Sequence, residues 1–290
     1  MPYVLTLVAN RAATSLTSGV IGRVRDAVGG GGEPVILSPG EAADIPLPAA
    51  PDMEAVRAAL DGAAIDAIAT EAASRRKLLL VADMDSTIVT GETLDELAGF
   101  AGLKPRIAAI TARAMNGELD FKAALRERVA MLRGLPVDAL ERTWDRVQLT
   151  PGARELVATM RAHGAVAALV SGGFSFFTGR VAQLCGFDLH RSNVLLDDGA
   201  ALTGLVAEPI LDRDTKLATL TGLATEHALP MAATLAVGDG ANDLDMLRAA
   251  GLGVAFHAKP IVAAAAQARV DHGDLRALLF AQGYRAGEFA

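Results

Sequence analysis

LLLVADMDST, at residues 78–87, is the stretch from which the fold of this chain can be predicted. Its apolar start is typical of a strand that is buried on both faces of a parallel sheet. Asp83 and Asp85 lie two residues apart, so on an extended segment both carboxylates project to one side beyond the strand's carboxyl end. Ligands of open α/β sheets bind at that edge. Because two close carboxylates need a cation or a shared proton, the pair predicts a divalent metal site.

Ser86 and Thr87 add hydroxyl and amide donors that could bind an anion. A metal, a carboxylate nucleophile and anion donors together indicate phosphoryl transfer through an aspartyl phosphate. An isolated D-x-D is more often an acidic turn after a strand. The interpretation therefore depends on matching segments elsewhere in the chain.

The composition limits the classes of function. The 290 residues are 51% hydrophobic and 21% charged, with a formal net charge of −7, and no basic tract indicates nucleic-acid binding. No apolar run reaches the roughly 18 residues of a membrane span, and no basic residue precedes the first apolar run as in a signal peptide. Cys185 is the only cysteine and lies in an apolar stretch. We therefore expect a core thiol, no intrachain disulfide and a cytoplasmic location.

After residue 75 the pattern alternates between strands and helices, which predicts an α/β fold with a doubly wound parallel sheet over residues 75–290. A hairpin is expected near residues 193–207. From about 90 to 150 the pattern is helical, without a strand candidate, and predicts a cap inserted above the sheet's carboxyl edge. The predicted strands are 78–81, 165–170, 233–237, 252–256 and 268–270, and the predicted helices between them are 152–162, 174–185, 214–228 and 241–250.

Two further segments indicate anion binding. SGGF at 171–174 follows a strand, so Ser171 and the amides of Gly172 and Gly173 at a helix start form a ready anion site. Lys216, near the start of another helix, could neutralise phosphoryl oxygens and the nucleophile. Each segment also has an ordinary interpretation, as a glycine turn and as a solvated surface lysine.

GDGAND at 238–243 follows the strand at 233–237. Asp239 should lie at the same edge as Asp83 and serve as a further oxygen ligand for Mg²⁺. Asn242 could reach a substrate, and Asp243 could orient metal-bound water or Lys216. The alternative for this segment alone is an N-cap rich in Asp and Asn.

DMDST, SGGF, the helix-leading lysine and GDGAND, in this order, resemble the haloacid dehalogenase superfamily of phosphatases. DMDSTIVTGETLDELA and SGGFSFF resemble its phosphoserine phosphatase family, over residues 76–283. The resemblance implies a Rossmann-type fold, Mg²⁺ as cofactor, and hydrolysis of O-phospho-L-serine in the last step of serine biosynthesis. It implies Asp83 as nucleophile and metal ligand, Asp85 as general acid and then base with its carbonyl on the metal, Ser171 and Lys216 at the phosphate, and Asp239 on the metal.

The cap sequence carries the substrate prediction. Counting about 100° per residue along GELDFKAALRERVAML, Arg128 falls on the apolar face that Phe121 and Leu125 define. A guanidinium there suits a carboxylate, although a snorkelling arginine or an internal ion pair explains the pattern equally well. Glu92 at a helix start could bind an ammonium or simply complement the helix dipole. The resemblance places substrate contacts at Glu92, Met115, Phe121 and Arg128.

Residues 1–74 are expected to form a small N-terminal α/β unit with one β-α-β-α pattern. Strands are predicted at 3–9 and 34–38, and helices at 14–28 and 53–62. Such a unit is shorter than the amino-acid-binding regulatory domain that many phosphoserine phosphatases carry. We therefore interpret it as a packing or homodimerisation element.

Three other functions remain open at this stage. The first is a related small-molecule phosphatase, or a phosphotransferase that passes the phosphoryl group from phosphoserine to homoserine. The second is a signalling receiver that is phosphorylated on aspartate, which the cap and Asp85 disfavour. The third is an amino-acid-binding regulatory protein with a degenerate catalytic domain, which the intact motifs disfavour.

Overall fold

The computed structural model describes residues 2–115 and 119–290, without the side chains of Ala108, Ala112, Ala114 and Met115. The strands are β1 (Tyr3–Ala9), β2 (Val35–Ser38), β3 (Ala42–Leu47), β4 (Ile65–Glu71), β5 (Leu79–Ala82), β6 (Val166–Phe174), β7 (Leu189–Asn193), β8 (Leu195–Asp197), β9 (Leu202–Val206), β10 (Thr234–Gly238), β11 (Leu252–Phe256) and β12 (Ala268–Val270). The helices are α1 (Ser18–Ala27), α2 (Met53–Leu60), α3 (Thr93–Phe100), α4 (Lys104–Met115), α5 (Phe121–Ala130), α6 (Asp138–Trp144), α7 (Ala153–Ala162), α8 (Ser175–Cys185), α9 (Arg213–Glu226), α10 (Leu244–Ala249), α11 (Pro260–Ala265) and α12 (Ala277–Ala281). Within this part of the chain, every helix is too short or too polar to cross a bilayer.

The central sheet has six parallel strands in the order β12-β11-β10-β5-β6-β7. Successive β5 side chains point to opposite faces, as the pleat requires. Leu80 and Ala82 pack in the core on one face, and Leu79 and Val81 pack in the core on the other. All four are fully buried. Helices therefore cover both faces, and the predicted doubly wound parallel sheet is confirmed.

The edge strand β7 is missing from the sequence prediction. Its sequence, LHRSN, is mostly polar, and only Asn193 at its end is buried. An edge strand needs no apolar run because one of its sides has no neighbouring strand. The predicted hairpin is present directly afterwards, as the antiparallel pair β8 and β9.

Helices α3 to α6 form the cap, which lies between β5 and α7 in the chain. The chain enters and leaves the cap through two neighbouring segments, where Val89 pairs with Leu149 and the Thr90 N–H donates to the Gln148 carbonyl at 3.0 Å. The hairpin β8–β9 supports the cap from the side, because the Gly134 N–H donates to the Leu202 carbonyl at 2.8 Å. Two parts of the chain that are distant in sequence therefore hold the cap.

The interpretation of the N-terminal unit as one β-α-β-α pattern is wrong. The structure contains an antiparallel sheet of four strands in the order β2-β3-β1-β4, with the chain order βαββαβ that ferredoxin-like units share. Strand β3 contains Pro46, which argues against a central strand in a sequence pattern, and β4 is an alanine-rich IDAIATE with only two large apolar residues. Pairing with β1 on both sides stabilises these two weak sequences.

Asp66 of β4 joins the N-terminal unit to the larger domain. Its carboxylate accepts hydrogen bonds from three successive backbone N–H groups, those of Asp271 at 2.7 Å, His272 at 3.1 Å and Gly273 at 2.6 Å. The side chain is buried, and burial raises the pKa of Asp66 while these N–H groups oppose the rise. These three hydrogen bonds replace the water that the buried carboxylate loses on folding, and they also satisfy three N–H groups of the loop at 271–273.

A buried lysine near the start of β5 generates a prediction about stability. Lys77 Nζ donates to the Ala232 carbonyl at 2.7 Å, and burial lowers the pKa of Lys77 to about 8, although Glu71 opposes the shift. Between pH 8 and about 10.4, the ordinary lysine pKa, the unfolded chain binds more protons at this residue than the folded chain. The contribution of Lys77 to the free energy of unfolding must therefore rise with pH across that interval.

We expect denaturant titrations to show this rise in the wild-type chain and its loss in Lys77→Met. Between pH 8 and about 10.4, the free energy of unfolding should rise by roughly 1–2 kcal/mol more in the wild type than in Lys77→Met. Lys104→Met, which removes an exposed lysine paired with Glu96, is the matched control. Parallel pH profiles for the wild type and Lys77→Met would contradict the prediction.

Candidate active site

Three carboxylates and one lysine meet at the carboxyl edge of the sheet. Asp83 follows β5 directly, Asp239 follows β10, and Asp243 ends a short turn that precedes α10. One oxygen from each of these carboxylates lies within 4.8 Å of the others. Lys216, the fourth residue of α9, extends Nζ to 2.7 Å from Asp83 Oδ1 and 2.5 Å from Asp243 Oδ1. The strand order brings the group together, because β5 and β10 are neighbours.

Three local features fix the geometry of this group. A Cβ atom at Gly238 would clash with the Asp243 side chain, so only glycine lets the strand end approach that carboxylate. Asp243 Oδ2 also accepts the Gly240 N–H at 3.0 Å, which closes the turn. On the lysine side, the Asp212 side chain caps α9 and accepts the Asp214 N–H at 3.1 Å. The cap sets where α9 begins, and so where Lys216 projects.

The group carries more negative charge than its lysine neutralises. Three ionised carboxylates and one ammonium have a net charge of −2. Burial raises the pKa of Asp83, an effect that Asp243 increases and Lys216 opposes, and burial with Asp243 and Glu92 raises the pKa of Asp239 to about 6. Burial acts to lower the pKa of Lys216, but Asp243 and Asp83 outweigh it and raise the pKa. An all-oxygen donor set with this charge suits Mg²⁺ or another hard divalent cation.

Asp85 lies beside this group, in a different environment. Its Oδ1 accepts the Thr93 N–H at 2.8 Å, and its Oδ2 accepts the Ser171 hydroxyl at 3.4 Å. Burial raises the pKa of Asp85 to about 7, and Glu92 adds to the shift. A carboxyl group with this pKa can hold a proton near neutral pH and give it to a leaving group.

Residues 171–173, at the carboxyl end of β6 where its pairing with β7 is irregular, face Asp85 and form a donor site that is called the 171–173 loop below. Ser171 is buried, and its Oγ accepts the Gly173 N–H at 2.8 Å. A Cβ atom on Gly173 would lie 2.9 Å from Asp85 Oδ2, so the close approach requires glycine. The Gly172 carbonyl accepts Asn193 Nδ2 at 2.9 Å. The polar loop therefore lies directly against the carboxyl group that can donate a proton.

The cap presents one aromatic and one cationic side chain to this region. Phe121 Cζ lies 3.3 Å from the position of a Cβ atom on Gly172, so its ring packs on the loop. Arg128 is partly buried and donates from Nε to the Ala124 carbonyl at 3.3 Å. Burial lowers the pKa of Arg128, while Asp95 and Glu92 oppose the shift. Among residues 2–115 and 119–290, no carboxylate lies within 4.0 Å of its guanidinium.

Comparison with known families gives this site a context. Residues 80–248, more than half of the chain, match the family model of the haloacid dehalogenase-like hydrolases.

The chain belongs to the haloacid dehalogenase-like hydrolases. It is 45% identical over 214 residues to the phosphoserine phosphatase SerB2 of Mycobacterium tuberculosis, covering 74% of this chain and 52% of that protein. It is also 45% identical over 202 residues to a phosphoserine phosphatase of Streptococcus thermophilus, covering 70% of this chain and 94% of that protein. The chain spans only about half the length of the Mycobacterium tuberculosis protein and of two further curated relatives.

The likeness extends through the N-terminal unit in a solved structure. A HAD family hydrolase from Salmonella enterica serovar Typhi matches with a TM-score of 0.85 and 28% identity, covering 96% of this chain and 98% of that chain. The combination of βαββαβ unit and hydrolase domain therefore occurs in another member of the family.

The structure of this haloacid dehalogenase-like hydrolase differs from the sequence interpretation in how the acids are arranged. Asp83 and Asp85 were expected to project together, but the Asp85 carboxylate lies outside the three-carboxylate group among the described residues. Strand β5 ends at Ala82, and Met84, the residue between the two aspartates, has helical backbone, so the alternation of an extended segment does not continue to Asp85. Asp243, expected to support the metal site, has its carboxylate inside the group.

Four residues singled out in the sequence remain, namely Glu92, Asn242, Met115 and Cys185. Glu92 is exposed and accepts a hydrogen bond from the Ser86 hydroxyl at 2.7 Å. The Ser86 hydroxyl, which the sequence predicted to bind an anion, is thus bonded to a carboxylate. Asn242 is partly buried, with its Oδ1 against Gly240. Met115 ends α4, and its side chain lies outside the described part of the structure, so its contact stays a prediction. Cys185 is buried, and burial raises its pKa to about 11, as expected of a core thiol.

One buried polar residue at this site escaped the sequence analysis. Asn193, at the end of β7, binds both the Gly172 carbonyl and the Leu211 backbone. It lies just before the hairpin in a polar segment, where an asparagine ordinarily indicates a turn. Recognising β7 as a strand of the parallel sheet would have placed Asn193 at the same carboxyl edge as the other site residues.

Proposed function

We propose that this haloacid dehalogenase-like hydrolase is a Mg²⁺-dependent phosphoserine phosphatase, which hydrolyses O-phospho-L-serine to serine and phosphate in the last step of serine biosynthesis. The observation that carries the proposal is Asp83 paired with buried Lys216, with Asp85 beside Ser171. These side chains supply a nucleophile, a proton donor and an anion site at one edge of the sheet. The names of the curated relatives support the same substrate.

Asp83, Asp239 and Asp243 are the side chains that would hold or surround the cation, with the Asp85 carbonyl as a further ligand by resemblance. The net charge of −2 that they share with Lys216 fits a divalent ion. When bound, Mg²⁺ supplies positive charge at the phosphoryl oxygens and at the nucleophile.

In the first half of the reaction, Asp83 forms a bond to phosphorus and the bond from phosphorus to the serine oxygen breaks. The hydrogen bonds described for the Asp83 side chain, from Lys216 Nζ and the Met84 N–H, both end on Oδ1 and leave Oδ2 for this attack. Lys216 and the 171–173 loop offset charge on the phosphoryl oxygens. Asp85 gives its proton to the departing oxygen, for which a pKa of about 7 is suitable.

In the second half, Asp85 is ionised and takes a proton from water. That water attacks the phosphorus of the aspartyl phosphate, which releases phosphate and restores the Asp83 carboxylate. The Phe121 ring packs on Gly172 and closes one side of this space. A covered site limits premature attack by water on the intermediate.

Recognition of the amino acid part of the substrate is assigned to the cap. Arg128 has no close carboxylate among the described residues, so its guanidinium is available for the substrate carboxylate. Glu92 is exposed near Asp85 and would bind the ammonium group, and Phe121 and Met115 would close the apolar side. Asn242, in the turn after β10, would also contact the substrate.

A related phosphatase, or a phosphotransferase that uses homoserine, would have the same nucleophile. Phosphate release from L-phosphoserine, phosphothreonine and sugar phosphates, with Mg²⁺ and with a chelator, separates these activities. Rapid turnover of L-phosphoserine would also exclude a receiver that is only phosphorylated. An inactive protein that binds serine tightly would instead favour a regulatory protein.

A cytoplasmic location and a small-molecule substrate, without a nucleic-acid or membrane partner, belong to the same proposal. A single buried cysteine supports a reducing compartment. Homodimerisation through the N-terminal unit also stays a proposal, which sedimentation analysis would test.

Removal of Asp239 should weaken the cation site specifically. We expect Asp239→Asn to reduce Mg²⁺ affinity at least about tenfold in calorimetric titration, because a charged ligand is lost. Asp245→Asn is the control, since Asp245 is nearby on α10 but outside the carboxylate group. Equal Mg²⁺ affinity in the wild type and Asp239→Asn would refute the assignment.

Replacement of the nucleophile should abolish turnover without unfolding the chain. Asp83→Asn keeps the shape of the side chain but removes the attacking carboxylate, so we expect phosphate release to fall by at least about 10³-fold. Circular dichroism and thermal melting would establish that the variant is folded. Turnover within a few-fold of the wild type would show that another group attacks phosphorus.

Arg128→Ala should separate substrate recognition from chemistry. We expect kcat/KM for L-phosphoserine to fall about 10²-fold, as for a lost charge-assisted hydrogen bond, with a much smaller effect on a simple aryl phosphate. Arg126→Ala is the matched control, because Arg126 lies on the same helix but is exposed and pairs with Glu208. Equal losses on both substrates in Arg128→Ala would contradict a contact with the substrate carboxylate.

A further inference from the structure

Asn193 connects the two anion-binding elements of the site. Its side chain is only 2% exposed, at the end of β7. Nδ2 donates to the Gly172 carbonyl at 2.9 Å and to the Leu211 carbonyl at 3.4 Å, and Oδ1 accepts the Leu211 N–H at 2.8 Å. One buried amide therefore binds the 171–173 loop at the end of β6 and the segment that leads into α9.

The bond to Gly172 fixes the direction of a donor in the anion site. In a trans peptide the carbonyl of one residue and the N–H of the next point in opposite directions. Because Asn193 holds the Gly172 carbonyl on its own side, the Gly173 N–H is turned away from it, towards Ser171 Oγ at 2.8 Å. A glycine pair has little conformational preference of its own, so this peptide plane needs an external restraint.

The bonds to Leu211 act on the lysine. Leu211 directly precedes Asp212, the residue that caps α9, and Lys216 is in the first turns of that helix. Asn193 pairs with both backbone polar groups of Leu211, as a neighbouring strand would. The start of α9 is thereby held at a fixed distance from the 171–173 loop.

We propose that Asn193 is a positioning residue for phosphoryl transfer, which holds the Gly172–Gly173 peptide and the start of α9 so that Ser171, Gly173 and Lys216 meet one phosphoryl group. It has no assigned contact with the substrate or with the cation. The inference rests on the proposed phosphoryl transfer at this site, but not on phosphoserine as the substrate.

Two variants test the inference. Asn193→Asp is isosteric and keeps the acceptor for the Leu211 N–H, but it replaces the donor with an oxygen that faces two carbonyls. Asn193→Leu removes every hydrogen bond. Gln282→Leu is the matched control, because Gln282 is also a fully buried amide that binds backbone groups, those of Lys77 and Leu278. These groups lie near the start of β5, at the edge of the sheet opposite to the candidate site.

We expect Asn193→Asp to lower kcat/KM about tenfold or more, and by the same factor for L-phosphoserine and for p-nitrophenyl phosphate, since the effect lies at the shared phosphoryl group. Binding of inorganic phosphate with Mg²⁺, measured by calorimetry, should weaken by a similar factor. Hydrogen exchange should accelerate at 171–174 and 211–216 but not in β5. In Gln282→Leu, phosphate affinity and exchange at these segments should stay at wild-type values even where its melting temperature falls.

Wild-type phosphate affinity in both Asn193 variants, or losses no greater than those of Gln282→Leu at equal thermal stability, would overturn the inference. A loss confined to L-phosphoserine would also overturn it, because it would place Asn193 in amino acid recognition. Failure of the wild-type chain to hydrolyse L-phosphoserine would count against the proposed substrate alone. The phosphate-binding comparison needs no turnover and would still test Asn193.

Discussion

The ammonium group of Lys216, held between Asp83 and Asp243, is the interaction on which the catalytic edge depends. It joins the ends of two neighbouring strands to the start of α9. All three side chains are buried, so each charge is stable only because the others are present. The two carboxylates are tolerated this close together because the ammonium group lies between them, and the negative charge that remains suits a divalent cation.

Much of this edge could be predicted because each site segment directly follows an apolar strand. DMDST, SGGF and GDGAND occupy the carboxyl ends of β5, β6 and β10, where the sheet topology alone brings them together. Lys216 could not be distinguished from a surface lysine by its sequence. Its position in α9, set by the Asp212 cap, decides that it points to the acids.

The parts that were missed depend on contacts between distant segments. Strands β3 and β4 have weak sequence patterns, and they are strands because β1 pairs with both. The different directions of Asp83 and Asp85 follow from the helical backbone of Met84 between them, which a period-two pattern does not anticipate. Asn193 acquires its importance from Gly172 and Leu211, which lie 21 and 18 residues away in the sequence.

The clamp that Asp66 makes on the loop at 271–273 affects how the chain can be divided. A fragment that begins at β5 would leave three amide groups of that loop without their carboxylate, although the parallel sheet itself would be complete. An isolated βαββαβ unit would in turn expose a carboxylate that folding has desolvated. The border near residue 75 is thus a boundary of topology that these three hydrogen bonds cross.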